Sequence, residues 1–378
     1  LTDWQYPAAE LARTITHPAS GWYRPVRLVP RHLFVPRWFT SGTDGWAVTD
    51  GPADQKEWFA AVYDDRTLVT RVGALHADHA DAGTTATGRP TSSSTHPALV
   101  VQMLRHGRLT TGARLLDVAT GSGYSAALAA HRFGDQNVTS IDVDPYLTHA
   151  ARDRLDSIGL HPEVITCDAT GELPGDFDRI VSMVSMPRIP ASWLAALRPG
   201  GRLVTTIAET GLIITADKQP DGSAVGRVEW DRAAFMATRA GDDYPSMLDD
   251  LFATVLDQDG DQVRESPFPA VNVMGAWELW SLMTLTVPRI EHRIRQGSDG
   301  TLTAWMLHPD GSWARASSAA GATTAIVHQA GPRRLWDELD RFRWWWLRDG
   351  SLPVYGARVE ITSDGTTTFS RSGWTATL

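Results

Sequence analysis

The run Leu115 to Ala130, LLDVATGSGYSAALAA, constrains this chain more than any other stretch. An apolar strand carries Asp117, a tight turn holds Gly121 and Gly123, and an alanine-rich helix comes next. An open α/β sheet uses that order to present backbone N–H groups and a helix N-terminus to a cofactor. Glycines at the turn let backbone approach a ligand, because no Cβ stands in the way. The spacing is Asp-x-x-x-Gly-x-Gly rather than the dinucleotide Gly-x-Gly-x-x-Gly. The turn alone therefore does not fix the class of ligand, and the later strand ends must.

The next strand, NVTSID, ends in Asp142, about 20 residues after the turn, where an acid can accept hydrogen bonds from ribose hydroxyls. A third strand, Glu163 to Thr166, runs into Cys167-Asp168, where a side chain can meet an adenine amino group. DRIVSM (Asp178 to Met183), a helix from Ser192 to Leu197, the turn Arg198 to Gly201 and a strand Arg202 to Ile207 complete the pattern. Three strand ends thus offer glycine-rich backbone, Asp142 and Asp168 along one edge, which suits an adenosine without a pyrophosphate. Each acid taken alone is equally an ordinary strand-end residue.

These residues resemble a class I S-adenosylmethionine methyltransferase, and more narrowly the protein-L-isoaspartate O-methyltransferase family. VPRHLFVP (Val29 to Pro36) is similar to that family's Val-Pro-Arg…Phe-Val-Pro signature. VYDDRTLV (Val62 to Val69) resembles its Ala-Tyr-x-Asp-x-Pro-Leu segment. SSSTHP (Ser92 to Pro97) stands where the family has Gln-Thr-Ile-Ser-Gln-Pro. DVATGSGYSAALAA is similar to its Glu-Ile-Gly-Thr-Gly-Ser-Gly-Tyr-x-Ala-Ala run. The resemblance spans roughly residues 10 to 240. It implies an α/β fold of the class I methyltransferase kind, Rossmann-like with a mostly parallel sheet, and S-adenosyl-L-methionine as cofactor. The cofactor residues implied are Asp117, Ala119, Thr120, Gly121, Ser122, Gly123, Tyr124, Asp142, Val143, Asp168 and Ala169.

The departures concern the acceptor. The family's active-site Ser aligns with Thr95 and its following Gln with His96. The resemblance implies Thr95, with Ser94 beside it, as the hydroxyl donor that holds one carboxylate oxygen while the other attacks. A carboxylate is already a nucleophile at neutral pH, so no general base is required. A Lys or Arg at that place would pair with the carboxylate and blunt it. The other reading makes SSSTHP a polar loop that caps the helix starting at Pro97, with Thr95 or His96 near the N-cap. Ser93, His96 and Arg31 are the expected substrate-binding residues.

Between Leu68 and Ser92 lies an insertion rich in Gly, Thr and Ser, expected to be a lid or a peptide-contacting loop. Its His76, Asp78, His79 and Asp81 resemble a metal cluster only superficially, and no metal is expected.

The formal net charge of −9 argues against a nucleic-acid partner, which needs a basic stripe. No stretch reaches membrane-span length and no signal pattern opens the sequence. Cys167, the single cysteine, has no internal disulfide partner and reads as a packed small residue. A cytoplasmic location is therefore expected.

Three parts are expected: residues 1–110 as a family-specific region with the substrate loop, 111–240 as the methyltransferase core, and 241–378 as an additional α+β domain. The last part opens with an acidic stretch that includes Asp242 and Asp243. Asp-Gly pairs at 221–222, 299–300, 310–311 and 364–365 predict hairpins. A helix from Arg333 to Arg348 places Leu335, Leu339, Phe342 and Trp346 on one face. Trp344, Trp345 and Trp346 cannot all face one core, which leaves domain packing, peptide docking and subunit contact open.

A methyltransferase with such an extension resembles those that modify ribosomally made peptides. The expected reaction is therefore methylation of an Asp side chain in a precursor peptide, macrocyclic precursors included, leading to aspartimide or isoaspartate. The alternative is an isoaspartate repair enzyme with an added domain. A cofactor-binding module without transfer is a third reading.

Overall fold

The computed structural model describes residues 4–43, 45–239, 244 and 247–378. A ten-stranded sheet forms its centre. Five strands pair in parallel, in the order Glu163–Thr166, Val138–Asp142, Leu115–Val118, Phe177–Met186 and Leu197–Ile207. They are the Rossmann-like core that the sequence leads one to expect. Leu115–Val118 and Val138–Asp142 are buried at every residue, as strands covered by helices on both faces must be. Their order doubles back beside Leu115–Val118, so a crevice opens above its C-terminal end.

The other half of the sheet is antiparallel. Leu212–Lys218 and Ala224–Arg232 extend it through the Asp221-Gly222 hairpin. Arg358–Ile361 then pairs with Ala224–Arg232 and is followed by Thr367–Arg371 and Trp374–Thr377. The end of the chain thus returns to the methyltransferase sheet, which corrects the expected division at residue 240. The boundary itself, with Asp242 and Asp243, lies outside the described residues.

Between these parts, a five-stranded antiparallel sheet runs from Gln262–Ser266 to Ala325–Ala330, packed by the helices Trp277–Thr286 and Leu335–Asp349. One apolar core joins Leu116, Ile141 and Ile214 of the central sheet to Leu282, Trp336 and Phe369. Ending the chain after Ala357 would remove three strands and bare the Ala224–Arg232 edge. We expect that truncation to abolish soluble, cooperatively folded protein, and the intact chain to melt in one calorimetric transition. Two separate transitions would contradict the shared core.

Pro97–His106 forms a helix at the expected place, and Gln5–Ile15 forms another. The insertion is not loop throughout. Leu68–Val72, Leu75–His76, Thr85–Ala86 and Pro90–Ser94 are strands of a six-stranded sheet with Arg37–Gly42 and Gly45–Asp50. These short strands satisfy backbone groups by pairing.

In the helix Leu335–Asp349, Trp336 is buried in place of Trp346, which is 54% exposed. Trp344 is also exposed, and Trp345 packs partly on the core. No helix among the described residues is long and apolar enough to cross a membrane.

Candidate functional site

A cavity of about 480 Å³ opens above the C-terminal ends of the parallel strands. Its size is within the range that holds a small-molecule ligand. Residues 119–122 form one wall. Asp142, Val143, Asp168 and Ala169 line the same end, and Ser93, Ser94, Thr95 and His96 line another wall.

The turn is held by a buried hydroxyl chain. Ser140 Oγ donates to Asp117 Oδ2 at 2.7 Å, and Ser125 Oγ donates to the same oxygen at 2.9 Å. Thr120 Oγ1 lies 2.7 Å from Ser140 Oγ, and since the Ser140 proton is used on Asp117, Thr120 is the donor there. The N–H groups of Ala119 and Thr120 both donate to Ile141 O, at 2.8 and 3.0 Å. Ala119 has φ of +71°, where a side chain is strained, and it occupies a place where the resembling run has Gly.

Asp142 Oδ2 accepts the Gly121 N–H at 2.9 Å, and Oδ1 accepts the Asp144 N–H at 3.0 Å. The carboxylate is thereby fixed, with lone pairs left for hydroxyls in the cavity. Burial raises its pKa, and the two backbone donors oppose that rise. Asp168 Oδ1 accepts both the N–H and the hydroxyl of Thr170 at 2.8 Å. Buried Trp193 donates its indole N–H to Ala169 O at 2.7 Å, which fixes that corner of the cavity.

Three expected contacts lie elsewhere. Asp117 sits beneath the cavity floor, fully buried, and supports the turn. Gly123 has φ of +92° and starts the helix Tyr124–Phe133, and a Cβ there would stand 3.0 Å from Ala151 Cβ. Its role is helix packing rather than approach to a ligand. Arg31 is fully buried and does not line the cavity. Its guanidinium donates to the carbonyls of Val62, Asp64 and Arg66 and to those of Ser94 and Thr95, at 2.7–3.3 Å. Burial lowers its pKa to about 10. Arg31 is a positioning residue for the Ser94-Thr95 wall.

His96 is the N-cap of Pro97–His106 but makes no side-chain cap. Asp65 supplies one instead, accepting the Ala98 N–H at 2.8 Å, and Thr67 Oγ1 accepts the His96 N–H at 3.1 Å. Thr95 and His96 are thus left half-buried at the cavity. Ser94 Oγ and the Tyr124 hydroxyl are buried cavity-lining groups with no hydrogen-bond partner. They are the hydroxyls that most need a ligand.

The apparent metal cluster is otherwise engaged. His76 Nε2 lies 3.1 Å from Asp144 Oδ2, and Asp78 Oδ2 accepts the Tyr146 hydroxyl at 2.8 Å. His79 packs on the Tyr146 ring with 4.1 Å between centroids. Among the described residues no group is arranged to hold a metal ion. Cys167 lines the cavity, and burial raises its thiol pKa.

Residues 232–239 also line the cavity, which no motif in the sequence announces. Ser185 pins this strap: its N–H donates to Met236 O, and its hydroxyl donates to Phe235 O at 3.0 Å. The sequence trace is Ala233, Ala234 and Ala237, small residues where backbone lies close over a ligand. Trp277, from the C-terminal part, completes the wall.

A sequence model of the family protein-L-isoaspartate(D-aspartate) O-methyltransferase matches residues 72–237. The protein-L-isoaspartate O-methyltransferase of Thermococcus onnurineus is 32% identical over 152 residues, covering 38% of this chain and 68% of that protein. The chain belongs to the protein-L-isoaspartate O-methyltransferase family.

Protein-L-isoaspartate O-methyltransferase 2 of Archaeoglobus fulgidus is 28% identical over 222 residues, 57% of this chain and 84% of that protein. Several other relatives of this family are matched over about two thirds of their length. A solved structure described as a protein-L-isoaspartate O-methyltransferase shares the fold at a TM-score of 0.50 and 16% identity, covering 99% of each chain. The fold of that structure thus includes a C-terminal part of comparable extent.

As a family member, this chain is a methyltransferase that uses S-adenosylmethionine. The cavity fits that cofactor: Asp142 is a fixed, buried acceptor, and the Gly121 turn stands beside it.

Asp117 gives the site a pH signature. Burial pushes its carboxyl up to about 7, against hydrogen bonds from Ser140 and Ser125. In the unfolded chain it titrates near 4. A raised folded pKa means that its contribution to stability is complete below about pH 4 and is lost as pH rises through about 7. Compared with Asp117→Asn, the cofactor-free wild type is expected to lose a few kcal/mol across that window and to run parallel above it. Parallel denaturant-unfolding profiles throughout would contradict the assignment.

Proposed function

We propose that this enzyme methylates a carboxylate of an Asp-derived residue in a peptide or protein, with the free α-carboxylate of isoaspartate as the favoured acceptor. Family membership supports the acceptor class. The observation that carries the reading is a single cavity lined by both sets of groups. Asp142 and Asp168 line it, and Ser94 presents an unpartnered buried hydroxyl to the same space.

S-adenosylmethionine, when bound, supplies an electrophilic methyl on a sulfonium. Asp142 would accept the ribose hydroxyls, Asp168 and Ala169 would flank the adenine, and the Gly121 turn would lie along the rest. In the same cavity, Ser94 donates a hydrogen bond to one carboxylate oxygen and leaves the second free to attack. Thr95 supplies a further donor, and Arg31 holds both residues from behind. Leu99, Val100 and the 232–239 strap exclude water, which strips the carboxylate and strengthens its nucleophilicity. No proton has to be moved before transfer, so no side chain is needed as a base.

A second reading, methylation of an ordinary Asp in a constrained ribosomal peptide, is favoured by Thr95-His96 at the place of the resembling Ser-Gln. The ester would then lose methanol to the next backbone nitrogen and close to an aspartimide. The C-terminal part does not separate the two readings, because the fold of the solved structure includes one of similar extent. The absence of cysteine pairs fits a cytoplasmic site of action.

Two peptides that differ only in Asp or isoaspartate at one Asp-Gly site test the acceptor by mass spectrometry. Methyl transfer to the isoaspartyl peptide alone is expected. Transfer to, or water loss from, the Asp peptide alone would overturn that preference in favour of the second reading.

A further inference from the structure

The cavity lining carries an arginine with no salt-bridge partner among the described residues. Arg232 is exposed at the start of the strap and lines the cavity. Its guanidinium lies over the Trp277 ring, 4.9 Å from the centroid. Glu278, next to Trp277, acts with Arg232 on the Tyr355 hydroxyl, the acid raising and the arginine lowering its pKa. Arg239, the other lining arginine, feels Asp142, Asp144 and Arg71 and so belongs to the cofactor end.

Trp277 is rigidly placed. It is the first residue of Trp277–Thr286, and that helix is tied to the loop before Leu212. Ser281 Oγ accepts the Gly211 N–H at 3.1 Å, and Thr284 Oγ1 donates to Glu209 O at 3.0 Å. The Trp277 ring lies so close on Gly211 that a Cβ there would stand 2.1 Å from its Cε3. Trp280 abuts it edge-on, with 5.7 Å between centroids. A ring fixed by Gly211 and Trp280 holds the guanidinium over its face, and no hydrogen bond of the Arg232 guanidinium N–H groups is seen among the described residues, so they can meet a bidentate anion.

We propose that Arg232, stacked on Trp277, is a second carboxylate subsite that selects acceptor peptides carrying an Asp or Glu beside the methylated residue. The proposal rests on the carboxyl-acceptor reading above. It gives the C-terminal part a direct role, since that part supplies the ring that orients the cation. In a chain of net charge −9, an exposed cation in the cavity lining makes the site complementary to an acidic peptide.

The test compares isoaspartyl hexapeptides with Glu, Gln or Lys next to the acceptor. Wild type is expected to favour Glu over Gln by about 5- to 10-fold in kcat/KM, mostly through KM. Arg232→Gln is expected to level the two, Arg232→Glu to prefer Lys, and Trp277→Leu to weaken the preference with Arg232 intact. Calorimetric binding of the same peptides, with S-adenosylhomocysteine present, gives a readout that needs no transfer. Charge-dependent binding without methylation would sink the acceptor reading and leave the subsite standing. Equal binding of Glu and Gln peptides, or a preference that survives in Arg232→Gln, would overturn the subsite.

Discussion

Arg31→Met should be the most damaging single change outside the cofactor contacts. The guanidinium is wholly buried and serves five carbonyl oxygens from two separate segments, 62–66 and 94–95. Methionine fills similar volume but leaves those carbonyls without their donor. Orphaned buried groups cost about 1–3 kcal/mol each before relaxation, and losing a buried charge network typically costs about 3–5 kcal/mol. A stability loss in that upper range is expected in urea. Turnover should fall with it, because the Ser94-Thr95 wall loses its anchor. Lysine should rescue only part of either effect, since an ammonium lacks the planar fork that spans both segments. Cofactor affinity in Arg31→Lys should stay near wild type. Wild-type stability and turnover in Arg31→Met would remove Arg31 from this role.

Asp142→Ala should raise the cofactor Kd by about 10- to 100-fold, as hydrogen bonds to a charged acceptor contribute about 1.5–3 kcal/mol. The substitution also frees the Gly121 and Asp144 N–H groups, so the turn itself loosens. Asp142→Asn separates the effects: an amide still accepts one backbone N–H but carries no charge. It should fall between wild type and alanine. Titration calorimetry with S-adenosylhomocysteine reads this directly, and an unchanged Kd in Asp142→Ala would place the ribose elsewhere.

The cofactor half of the site is legible in the sequence because it is local. A strand, a glycine turn and a helix N-terminus within 16 residues fix backbone geometry without help from distant chain. The Asp-Gly hairpins are legible for the same reason: Gly222, Gly300, Gly311 and Gly365 all adopt φ between +81° and +90°.

The features that a sequence hides are long-range. Nothing near Ala224–Arg232 announces that Arg358–Ile361, more than a hundred residues on, will pair with it. The insertion reads as a loop because its strands are short and its turns are rich in glycine. Arg31 reads as a substrate ligand because a sequence does not reveal where a guanidinium points. No motif marks Trp277, and its place in the cavity lining depends on the contact with Gly211.

The central claim is transfer to a carboxylate oxygen. Incubating the enzyme with methyl-labelled S-adenosylmethionine and an isoaspartyl peptide, then raising the pH, reads the bond formed. Label on the peptide that leaves as volatile methanol under mild base is expected. Label that stays on the peptide through base, or none at all while the cofactor is bound, would contradict it.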